Sequence, residues 1–65
     1  MKVSYFEDTD TLYIELKGSG VAETRDLDEN TILDLDADGK LVAITMEHAS
    51  TRTDVQHIKL SGIAA

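Results

Sequence analysis

Residues 31–46, TILDLDADGKLVAITM, alternate apolar and polar side chains on both sides of an Asp-Gly pair. Alternation of period two belongs to extended chain, and Asp-Gly between two such runs is a strong hairpin signal. With Asp38 and Gly39 as the two loop residues, Ala37 faces Lys40, Leu35 faces Val42, Leu33 faces Ile44 and Thr31 faces Met46. One face then holds Leu33, Leu35, Val42 and Ile44. The other holds Ile32, Asp34, Asp36, Leu41, Ala43 and Thr45. A slip of one residue would turn half of the apolar set outward, so the register is well specified. Each apolar side chain buried in this cluster contributes about 1.5–3 kcal/mol.

The flanking segments follow the same period. KVSYF (2–6) and TLYIEL (11–16) are separated by the polar EDTD, which predicts a four-residue hairpin loop and antiparallel strands. Val3 and Tyr5 share one face of the first strand, and Leu12, Ile14 and Leu16 one face of the second. Gly18 and Gly20 mark a second break. VAETRDL (21–27) is the least apolar strand candidate, and its charges suit an edge. DLDEN (26–30) is expected to connect it to the main hairpin. In the tail, Thr51 as cap with Asp54 in the first turn predicts a short helix that places Val55 and Ile58 on one face. A strand over VQHIKL competes with it. The fold class is therefore α+β, a small antiparallel sheet of four or five strands in a meander of hairpins with a short C-terminal helix. Residues 1–65 form a single domain, with 61–65 expected to fray.

Composition narrows the functions. Thirteen acidic and six scattered basic residues give a net charge of −7, against the clustered Lys and Arg that nucleic-acid phosphates require. No membrane-length apolar run and no basic start before an apolar stretch are present, so a cytoplasmic protein without a membrane or nucleic-acid partner is expected. Cysteine is absent, which removes disulfides and thiolate ligands.

The alternating aspartates raise the question of a metal. Asp34, Asp36, Asp38 and Gly39 fit positions 1, 3, 5 and 6 of a calcium-binding EF-hand loop, but position 12 is Thr45 where glutamate is needed, and Glu47 comes two residues late. Strand alternation also replaces the flanking helices. His48 and His57 lie nine apart with no HExxH spacing, and Ser50 lacks a nucleophile-elbow motif. No cofactor, metal ligand or catalytic residue is expected. Asp34, Asp36, Glu47 and His48 stand as a candidate interaction patch or weak cation patch.

YFEDTDTLYIEL (5–16) followed by ILDLDADGKLVAITMEHAS (32–50) resembles the small bacterial and archaeal domain family DUF2283. Tyr5, Asp10, Leu12, Tyr13, Ile14, Leu33, Asp34, Asp36, Gly39, Leu41, Val42, Ile44, Ala49 and Ser50 match its pattern. Phe6 stands where the family commonly has Asp, Ala43 where it has Gly and Thr45 where it has Glu. The resemblance implies a small antiparallel sheet with a short C-terminal helix and carries no established activity. Kinship with companions of small toxin-like proteins implies an antitoxin-like or accessory role as an alternative.

A thin sheet with apolar residues on both faces calls for a cover, so a non-enzymatic protein–protein interaction domain that forms a homo-oligomer, in its simplest form a homodimer, is expected. A basic protein partner is the alternative that the acidic charge favours. A small metal-dependent enzyme, in which Asp34 or Asp36 meets Glu47 or His48, is a further alternative.

Overall fold

Five strands form one antiparallel sheet in a computed structural model that describes residues 1–57. They are β1 (Lys2–Phe6), β2 (Thr11–Glu15), β3 (Glu23–Asp28), β4 (Thr31–Leu35) and β5 (Leu41–Glu47), followed by a 3-10 helix at Ala49–Thr51. The spatial order is β1-β2-β5-β4-β3. Three of the four connections are hairpins, as the alternation predicts. The fourth, residues 16–22, passes from β2 across the ends of β5 and β4 to the far edge, which turns the last four strands into a Greek-key arrangement.

The expected four-residue loop joins β1 to β2: Phe6 pairs with Thr11, Tyr5 with Leu12 and Val3 with Ile14. The expected pairs Leu33–Ile44 and Thr31–Met46 also form. Nearer the loop the register changes. Leu35 pairs with Leu41 rather than Val42, and the turn is wider than Asp38-Gly39 alone. Asp36 N–H donates to the Lys40 carbonyl, Gly39 N–H donates to the Asp36 carbonyl, and Gly39 takes φ +79°. This is a turn closed by a left-handed glycine, which inserts one extra residue relative to a two-residue loop. The Asp36 carboxylate drives the choice, because its Oδ1 accepts from the backbone N–H groups of Asp38 and Lys40. The displaced residue is Val42, whose carbonyl instead receives N–H groups from Leu16 and Lys17 of the crossing segment.

At the other edge β3 runs through Asp28, so the connection expected over residues 26–30 shrinks to Glu29 and Asn30. Asp28 Oδ1 accepts from Asn30 N–H and tightens this turn. A bulge between Asp26 and Asp28 leaves Leu27 exposed.

Paired residues share a face, so Val3, Tyr5, Leu12, Ile14, Leu33, Ile44 and Met46 lie on one side. Leu12, Leu35, Val42, Ala43 and Ala49 are the buried apolar residues; Ile14, Leu33, Ile44 and Met46 are only half-buried. The helix begins before the predicted Thr51 cap and is 3-10, with His48 in the left-handed region as its N-terminal flank. Among the described residues no α-helix follows. The expectations for Ile58, for the rest of the VQHIKL strand and for fraying at 61–65 lie outside the described residues. No helix among the described residues is long and apolar enough to cross a membrane.

Candidate functional site

Asp10 closes the β1–β2 loop with φ 53°, a conformation that aspartate tolerates better than most residues. This turns its carboxylate towards the chain that leaves β5. Tyr5 Oη donates to Oδ1 at 2.6 Å, and the Ser50 N–H donates to the same oxygen at 3.0 Å. Ser50 Oγ donates to Oδ2 at 2.7 Å, and the Asp10 carbonyl accepts from the Ala49 N–H. Strand pairing of Thr11 with Glu47 brings the two ends together, and the left-handed turn at His48 points Ala49 and Ser50 back at Asp10.

Charge follows this geometry. The Tyr5 hydroxyl, then the Ser50 hydroxyl, hold the Asp10 carboxyl below the usual aspartate range, since every donor favours the anion. The bond to Asp10 pushes the Tyr5 phenol up, because an ionised phenol could not donate it. The Ser50 proton is directed at a carboxylate rather than at an imidazole. The cluster therefore has the chemistry of a fastener and not of a paired nucleophile and base.

A second fastening lies on the other side of β5. Arg52 Nη1 donates to the carbonyls of Asn30 and Glu47, and Nη2 to Thr31 Oγ1 at 2.6 Å. Asp28 lies 3.6 Å from the same guanidinium. Thus residues 48–52 are tied to the β1–β2 loop by Asp10 and to the β3–β4 turn by Arg52.

The four residues of the sequence-derived patch occupy two places. Asp34, on β4, accepts from Thr24 Oγ1 of β3. Asp36 sits in the β4–β5 loop, where Lys17 Nζ approaches Oδ2 at 2.6 Å and, as the leading cause, lowers its pKa. Glu47 and His48 lie at the far end of β5. Asp34 pairs with Ala43, and four residues of strand separate Ala43 from Glu47, about 14 Å at roughly 3.4 Å per residue. Asp34 and Asp36 thus have partners within the fold and do not meet Glu47 or His48. Among the described residues no group of three or more His, Asp or Glu side chains is placed to hold a metal ion.

Composition and periodicity gave no sign of the Tyr5–Asp10–Ser50 junction, whose members lie up to 40 residues apart. The signal was their joint presence in the family pattern. Arg52 had no such signal. No curated protein and no solved structure matches the chain. A family model described as a protein of unknown function, DUF2283, matches residues 2–50, which span all five strands and end on the serine that binds Asp10. The chain belongs to the DUF2283 family.

Proposed function

We propose that this domain is a non-enzymatic protein–protein interaction module that works as a homo-oligomer. The observation that supports it is the unfinished burial of a single-layer sheet. Phe6, Leu16, Val21 and Leu27 are exposed, and the apolar side of β2, β4 and β5 is only half-buried. One sheet must bury its apolar side against another layer, and a chain of this size has little material for one. Size-exclusion chromatography with light scattering at micromolar concentration tests this. A dimer or larger species is expected, and a clean monomer would sink the proposal.

A basic protein partner is the second reading, favoured by the acidic β3 edge, where Glu23, Asp26 and Asp28 are all exposed. It predicts tight, salt-sensitive binding to a small basic protein encoded beside it, measurable by titration calorimetry at two ionic strengths. Binding that ignores salt, or none at all, would remove it.

A further inference from the structure

The two edges of the sheet differ in how they are defended. Edge strands present unpaired N–H and C=O groups, and proteins blunt them with charges and bulges. β3 has both: Glu23, Arg25, Asp26 and Asp28 along its length and a bulge at Leu27. β1 has neither. Its register with β2 is unbroken over five pairs, its only charge is Lys2 at the start, and Phe6 at its end is exposed.

Beyond Phe6 the chain turns acidic. Tyr5, Phe6, Glu7, Asp8 and Thr9 line an open depression of about 420 Å³. Lys2, Glu7 and Asp8 are exposed, and none of them enters an ion pair among the described residues.

Building on the self-association reading, on which this rests, we infer that β1 is the contact surface and that its occupant is β1 of a second copy, antiparallel and centred on Ser4. The register follows from symmetry. Ser4 faces the partner's Ser4, Val3 faces the partner's Tyr5, and Lys2 faces the partner's Phe6. Three consequences favour this arrangement. Val3 and Tyr5 lie on the apolar side, so the two apolar sides join across the two-fold axis without a break. Each Lys2 arrives over an exposed aromatic ring, a cation–π pairing. Each also arrives at the mouth of the partner's depression, next to Glu7 and Asp8, so the ends of the two strands are complementary in charge. The isologous contact closes on itself as a dimer and leaves the defended β3 edges outermost.

The test uses two charge-reversed chains, Lys2→Glu and the double variant Glu7→Lys/Asp8→Lys. All three positions are exposed, so the fold is unaffected, and circular dichroism checks this. Each variant alone places like charges at both seats, whereas a mixed pair places opposite charges at both. Each variant alone should dimerise about tenfold more weakly than the parent, and an equimolar mixture should recover parental affinity, read by native mass spectrometry and sedimentation. A parent that is monomeric would remove the self-association reading itself. A parental dimer that neither variant weakens, or that mixing does not restore, would overturn the β1 assignment and leave self-association standing.

Discussion

Gly39→Ala isolates one physical effect. Gly39 has φ +79°, and a Cβ built there meets no other atom within 4 Å. The substitution therefore adds no clash with another element. It only forces an L residue into the left-handed region, at about 1–2 kcal/mol. A domain of this size has total stability of order 3–10 kcal/mol at roughly 0.05–0.15 kcal/mol per residue, so this is a substantial share. Each kcal/mol lowers the melting temperature by about 4–8 °C in small domains, which gives an expected drop of about 5–15 °C by scanning calorimetry. Gly18→Ala is the control. Gly18 has no positive φ, and its nearest neighbour is Glu15 Oε1 at an ordinary 3.7 Å. That change should be neutral or stabilise by up to about 1 kcal/mol, by restricting the unfolded chain. Gly39→Asn should recover most of the loss, since asparagine tolerates this conformation. Equal melting of the parent and Gly39→Ala, or equal losses at positions 39 and 18, would refute the assignment of the loop.

Two further outcomes follow from burial and charge. Leu12 is 3% exposed, between Tyr5 and Met46, so Leu12→Ala should lose about 2–5 kcal/mol in urea denaturation, while Phe6→Ala at an exposed site should change the stability of the isolated monomer by less than about 0.5 kcal/mol. Asp10 has a folded pKa below its unfolded value, so its contribution is complete above about pH 4 and fades as the pH falls through that value towards the lower folded one. Asp10→Asn should therefore destabilise the protein at pH 7 and narrow the gap to the parent at pH 3; an undiminished gap in melting temperature at pH 3 would count against the ionic role of the carboxylate.

Local pattern carried much of the fold. Alternation placed the strands, and the polar EDTD set the β1–β2 loop. Charge in residues 21–27 marked an edge, which is where β3 lies. The crossing of residues 16–22 was not legible, because Gly18 and Gly20 serve a hairpin and a crossover equally well. Its physical cause is non-local. β2 carries Leu12 and Ile14 and gains more from an apolar second neighbour than from the charged β3. β5, with Val42, Ile44 and Met46, is that neighbour. The Val42 bulge then frees a carbonyl for Leu16 and Lys17 at the point where the chain leaves β2.

The Asp-Gly hairpin misled in a related way. Side-chain alternation put Asp36 on a solvated face beside Asp34. Its short carboxylate instead collects the N–H groups of its own loop and the ammonium of Lys17, so it holds the loop and the crossover together. Asp10 has the same part at the opposite end, gathering Tyr5, Ala49 and Ser50. Each aspartate closes a hairpin loop and binds the segment that leaves a neighbouring strand. A sheet too small to hold its ends by apolar burial uses charge-assisted hydrogen bonds for that purpose. The partners of Asp10 lie on β1 and at the exit of β5, and so the junction also fixes the β1 hairpin, whose outer edge is the one left undefended.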